Sequence, residues 1–226
     1  MRMINNIQIF NLKLNPKSNM SQPQQKTMSY PADTFVRSSK PSFKGGYFDY
    51  VKVSKKYFRG QKPDLNTLEA LKAEGVNTVI NLTENVNDSL LRRMNELGMK
   101  HYNLQLDEDI NPTKDQIKTF LNILNKPDTC AYAHCREGRN RTGIMTALYD
   151  VIVNERRFMG AYKDMLENRY DFKNHPNLGK FLESVCSDQK FLNEMGSAKQ
   201  AEDPAAVEEI AKRLTSNPLY QKNSTY

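Results

Sequence analysis

From about residue 47 onward, short apolar runs of strand length alternate with amphipathic runs of helix length, and this alternation limits the possible architectures more than any other feature. Residues 48–53 and 57–59 read as strands, and 64–73, with Leu65, Leu68 and Leu71 on one face, as a helix stopped by Gly75. Residues 76–82 form a further apolar strand, 88–97 a helix ended by Gly98, and 100–106 another strand. Thr113 with Gln116 three residues on is a capping-box signature that opens a helix to about Leu124. Lys126-Pro127-Asp128 then turns the chain into a strand over 129–133. After Arg141 the pattern is wholly helical, over 142–154, 159–168 and 178–185, with Asp203-Pro204 opening a last helix to about Leu214 and a frayed final dozen residues. The expected fold is α/β: a mostly parallel central sheet of about four to five strands flanked by helices, with ligands bound beyond the carboxyl ends of the strands.

Composition narrows the setting. With 38% hydrophobic and 26% charged residues in 226, the chain has an ordinary globular balance. It contains no run near the roughly 18 apolar residues of a spanning helix. The first fourteen residues carry no uninterrupted apolar stretch of the kind a secretory leader needs. Cys130, Cys135 and Cys186 include no CxxC pair, which argues against a disulfide framework or zinc site and points to a reducing, cytoplasmic setting. Delivery to another cell by a non-classical route stays open. The net charge of +7 is concentrated at one end: residues 1–46 hold seven basic side chains and one acidic, the remainder 26 and 25. No stable nucleic-acid partner is therefore expected. The segment 1–46, rich in Asn, Gln, Ser and Pro and closed by Gly45-Gly46, reads as a flexible basic leader, with weak contact to an anionic membrane as the alternative. Residues 47–195 form the expected domain and 196–226 a C-terminal helix and tail.

One strand ends in His134-Cys135-Arg136-Glu137-Gly138-Arg139-Asn140-Arg141-Thr142-Gly143, followed at once by an apolar helix. Five residues between Cys135 and Arg141 let the loop curl so that backbone N–H groups converge on one anion, reinforced by the helix start. Arg136, Glu137, Gly138, Arg139, Asn140 and Arg141 would line that phosphate. Helix terminus and guanidinium both favour thiolate over thiol at Cys135. Arg141 offers a planar fork for two phosphate oxygens, Gly138 permits close backbone approach, and Thr142 can donate to the sulfur. A lone cysteine ending a strand is usually a small buried hydrophobe; here its neighbours favour the nucleophile. Cys130, within the apolar strand, reads as core, with a resolving-thiol role as the alternative, and Cys186 as ordinary. His101 reads as a structural polar residue and His175, before Pro176, as an exposed loop residue; neither is a convincing metal ligand.

These ten residues resemble the signature loop of the cysteine-dependent protein tyrosine and dual-specificity phosphatases. More weakly, residues 57–63 and 77–82 resemble the opening segment of compact bacterial-type members, and the resemblance covers about residues 47–185. It implies that Cys135 attacks phosphorus to form a thiophosphate intermediate, that Arg141 clamps the phosphoryl oxygens, that His134 supports loop and thiolate, and that Thr142 eases sulfur departure. It also implies an aspartate acting first as acid and then as base, and no metal or cofactor. Residues 108–112 resemble the acid loop of the phosphatase-and-tensin-homologue group, whose aspartate stands three residues before a proline. Asp109 is the first choice and Asp107 the second, although Asp107 and Glu108 also suit plain turn or surface roles. Arg136 and Arg139 stand where lipid phosphatases of that group have lysines, which suits a polyphosphorylated inositol; alternatively both turn outward to Glu137. The expected activity is a phosphomonoesterase on phosphotyrosine-containing or dual-specificity protein substrates, with phosphoinositides or inositol polyphosphates second. An RNA 5′-triphosphatase and an inactive phosphate-binding module come behind. A deep cleft walled by an aromatic would favour phosphotyrosine, and a wide cationic one inositol lipids.

Overall fold

The computed structural model describes residues 50–84 and 86–222; the basic leader 1–46 and the domain start near Tyr47 lie outside them. Five strands and nine helices follow one another along the described residues. They run β1 (Tyr50–Ser54), β2 (Tyr57–Gly60), α1 (Leu65–Ala73), β3 (Thr78–Asn81), α2 (Asp88–Glu96), β4 (Lys100–Asn103), α3 (Lys114–Leu124) and β5 (Ala131–His134). After these come α4 (Asn140–Ile152), α5 (Phe158–Glu167), α6 (Pro176–Ser187), α7 (Gln189–Glu194), α8 (Pro204–Thr215) and α9 (Pro218–Gln221). The sheet order is β1-β2-β5-β3-β4, antiparallel between β1 and β2 and parallel elsewhere. The α/β architecture read from the sequence is thus the one found.

Alternation along the strands divides the core in two. Phe58, Tyr132 and Val79 lie in one row across β2, β5 and β3, packed with Leu68 and Leu71 of α1 and Leu90 and Met94 of α2. One residue along, Tyr57, Ala131, Ala133 and Ile80 belong to the opposite layer, with Ile117 and Phe120 of α3 and Ile144 and Leu148 of α4. Each such large aliphatic or aromatic side chain contributes about 1.5–3 kcal/mol on burial, and a one-residue slip of register would turn each set towards the opposite layer, against helices it does not fit. Side chains cap the early helices: Asp64 accepts from the Thr67 N–H, Asn87 from Leu90, and Thr113 and Gln116 complete the expected capping box.

The C-terminal region differs from the sequence reading. Helices α7 and α9 were not anticipated, being only six and four residues long, too short for a periodic signal. The frayed end was expected because the last dozen residues are polar, yet Tyr220 of α9 is buried in the main core, as are Val207 and Ala211 of α8. Cys130 precedes β5 and is only half-buried, so it belongs to the strand's approach and not to the core proper. Burial raises its thiol pKa.

Strand β5 is central, flanked by β2 and β3. Parallel pairing brings the carboxyl ends of β2, β3, β4 and β5 to one edge, and the connections leaving them build the site.

Candidate active site

Cys135 follows the last residue of β5 and is 3% exposed. Its Sγ accepts a hydrogen bond of 3.2 Å from the Gly138 N–H, so the loop turns back over the sulfur. That turn needs glycine: Gly138 has φ +73°, and a Cβ there would stand 2.5 Å from the carbonyl carbon of Gly60. Neighbouring strands hold the loop from both sides, through Lys62 N–H to Arg136 O (3.1 Å) and Leu82 N–H to His134 O (2.8 Å). Helix α4 starts at Asn140 with no side chain hydrogen-bonded at its cap, which leaves its first N–H groups without a side-chain partner there.

His134 is buried, stacked on Tyr132 at 5.8 Å between ring centroids, with Nδ1 3.2 Å from Cys135 O. Burial pulls its pKa down to about 4, so the ring is neutral at physiological pH. Thr142 is fully buried and its Oγ1 has no hydrogen-bond partner among the described residues. Arg141 Nη2 lies 3.2 Å from Glu108 Oε2, while its buried Nε has no partner among the described residues, so the fork retains a donor for a ligand.

The acid loop divides its three carboxylates. Asp107 lines a cleft of about 450 Å³ together with Lys62, Thr83, Glu84, Leu106, Glu108, Arg136 and Arg141. Its Oδ1 also accepts from the Asp109 N–H at 2.8 Å, a local turn that sends the next residues elsewhere. Glu108 is bound to Arg141 and accepts from Asn140 Nδ2 at 2.8 Å. Asp109 has an 83% exposed side chain, sits 3.3 Å from His175 Nδ1, and is not among the residues lining the cleft. His175 is itself mostly buried, its Nε2 3.7 Å from Glu108 Oε1, because the segment before α6 closes over the acid loop; the sequence reading had it exposed. Asn140 completes this junction by accepting from the Asp171 N–H at 3.0 Å.

Arg136 and Arg139 part company. Arg136, 73% exposed and 3.8 Å from Glu137, lines the cleft of Asp107 and Arg141. Arg139, 3.5 Å from the same Glu137, lines a smaller hollow of about 190 Å³ with Gly138, Arg59 and Arg169. Both therefore meet Glu137, and the two do not share a pocket. Sequence reasoning missed Arg59, which is buried at 3% exposure and donates from Nη2 to Gly138 O at 2.6 Å; an arginine inside an apolar four-residue strand was the available signal.

A strand-tip thiol under a glycine turn, with an arginine fork at the following helix start, is an arrangement for attack on a phosphoryl group. The family described as polymorphic toxin system, DSP-PTPase phosphatase matches residues 53–155, which span the loop and both flanking strands. Over those residues, a little under half of the chain, the sequence is similar to the dual-specificity and protein tyrosine phosphatases. The dual specificity protein phosphatase CDC14A of Mus musculus is 28% identical over 90 residues, covering 40% of this chain and 14% of that protein. The match thus takes in well under two thirds of that relative's length. Among solved structures, P. aeruginosa TpbA superposes with a TM-score of 0.58 at 18% identity, covering 73% of this chain and 96% of that one. The core catalytic domain of the PP-IP phosphatase SIW14 from S. cerevisiae gives 0.52 at 14% identity, covering 70% and 88%. At such identities the structural likeness speaks for the superfamily's fold.

Proposed function

We propose that this protein hydrolyses phosphomonoesters through a cysteinyl-phosphate intermediate on Cys135, with phosphorylated protein of the tyrosine or dual-specificity type as its substrate class. The observation that carries this reading is the Gly138 N–H bonded to the Cys135 sulfur in the same loop that holds Arg141 against the acid segment. In the first step the sulfur attacks phosphorus, the bond to the leaving oxygen breaks, and Asp107 gives that oxygen a proton. Arg141 and the loop amides take up charge on the equatorial oxygens, for which Arg141 must exchange Glu108 for phosphate. In the second step water attacks phosphorus, Asp107 takes its proton, and the sulfur leaves as thiolate with the Gly138 N–H donating to it. Asp107 is preferred to Asp109 because it lines the cleft and Asp109 does not. Its neighbour Glu108 is committed to Arg141 and Asn140.

Phosphoinositides or inositol polyphosphates form the second reading. What favours it is the cleft itself, which has no aromatic wall among the described residues and places Lys62 and Arg136 beside Arg141. The carboxylates of Glu84, Asp107 and Glu108 counter that cationic character, which keeps protein substrates first. The test is a phosphate-release panel of phosphotyrosine and phosphothreonine peptides, phosphoinositides, inositol polyphosphates and 5′-triphosphorylated RNA, with Cys135→Ser as the blank. Turnover of phosphopeptides by the native protein and none by Cys135→Ser is expected. Hydrolysis persisting in the serine variant would remove the nucleophile, and release from inositol substrates alone would promote the second reading.

A further inference from the structure

The last residue but one of β2 places a cation beneath the phosphate loop. Arg59 is buried, with 3% exposure remaining, and among the described residues it forms no ion pair with a carboxylate. Moving a guanidinium out of water costs several kcal/mol unless other charges or dipoles compensate. One compensation is visible, the 2.6 Å hydrogen bond from Nη2 to Gly138 O. The charges of Tyr57, Cys135, Asp150 and Tyr132 act on it, and Glu137 and Glu167 line the hollow it borders. Burial keeps both tyrosines protonated, and Asp150 is already bound by Arg156 at 2.8 Å and Asn154 at 2.9 Å. Glu137 is paired with Arg136 and Arg139, and Glu167 with Lys163, which leaves Cys135 to present an uncommitted negative charge to Arg59.

We propose that Arg59 is a positioning residue for the nucleophile: it fixes the Gly138 carbonyl so that the Gly138 N–H aims at the sulfur, and its charge stabilises the thiolate from the side of the loop opposite the substrate cleft. The proposal rests on Cys135 being the nucleophile. Arg59 and Arg141 act on different faces of the loop, since Arg59 lines the small hollow with Gly138 and Arg139 while Arg141 lines the substrate cleft. Arg59 therefore touches no substrate, and its effect reaches the chemistry through Gly138 and Cys135.

The experiment follows the rate of Cys135 alkylation by iodoacetamide against pH in the full chain, resolved from Cys130 by mass spectrometry, for native protein, Arg59→Gln, Arg59→Met and Arg59→Lys. Because alkylation reads the thiol directly, it is informative whether or not any phosphoester is turned over. Both neutral variants should move the alkylation midpoint upward by about one pH unit, a roughly tenfold lower rate on the acid side. Arg59→Lys should stay closer to native, and the Cys130 profile should not move. Folded neutral variants with an unmoved Cys135 profile would overturn the proposal and leave Arg59 a packing residue. Should neither neutral variant fold, Arg59→Lys decides on the same profile: a smaller upward shift of the Cys135 midpoint, from loss of the planar fork on the Gly138 carbonyl, is expected, and a profile identical to native would overturn the proposal.

Discussion

Asp107 and Asp109 stand two residues apart and serve different surroundings. The resemblance at residues 108–112 favoured Asp109 because spacing to a proline is visible in a sequence, whereas the turn made by Asp107 Oδ1 on the Asp109 N–H is not. That turn leaves Asp107 in the cleft and sends Asp109 to His175. Asp107→Asn should lower kcat about 10²–10⁴-fold on alkyl phosphates and much less on aryl phosphates with good leaving groups. Asp109→Asn should stay within about threefold of native in the same assay; the reverse pattern would return the acid to Asp109. His134 offers a separate test through stability. Its folded pKa of about 4 lies below the ordinary value of 6.5, so between these pH values the unfolded chain binds a proton that the folded chain refuses. The contribution is complete above about pH 6.5, falls as pH drops towards 4, and then levels off at a loss of roughly 3 kcal/mol at most. Chemical denaturation at pH 7 and pH 4.5 should show a smaller acid loss for His134→Asn than for the native chain, and equal losses would count against a buried neutral ring.

The elements around the loop were readable because each has its own periodicity, cap or glycine stop. Strand β5 and helix α4 announce the loop between them, and the capping box at Thr113 places the helix after the acid segment. What could not be read was contact between elements. Nothing local to β2 says that Gly60 will abut Gly138, or that Arg59 will reach its carbonyl, because that pairing depends on β5 inserting beside β2 in the sheet. The same dependence hid His175, whose burial arises only when the segment before α6 meets the acid loop. Gly138→Ala tests the closeness of that fit. A methyl group 2.5 Å from Gly60 C and 2.7 Å from Gln61 N, at φ +73°, cannot be accommodated without moving the loop. Activity should drop at least about 100-fold, with a stability loss of about 1–3 kcal/mol in denaturant titration. Activity within a few fold of native would show that the loop tolerates a wider gap.

At the scale of the whole molecule, the helical C-terminal region closes the layer that supports α4. Glu202 accepts from the Phe158 N–H at 2.7 Å and from Lys199 Nζ at 2.8 Å, pinning the approach to α8 onto the start of α5. Tyr220 then seals the edge of the core. A chain ending at residue 216 should lose about 2 kcal/mol from that burial and melt roughly 4–8 °C lower, with kcat little changed. An unaltered melting temperature would mean that α9 adds nothing to the core. The contact between Glu108 and Arg141 bears on how the assembled molecule meets its ligands. A tethered carboxylate already sits on the fork, so every incoming anion competes with an intramolecular rival whose concentration never dilutes. Singly charged bystanders such as chloride or acetate are poorly matched to evict it, whereas a phosphate dianion brings both the charge and the oxygens to do so. On the proposed reading, that rivalry would sort ligands by valence before any bond is broken.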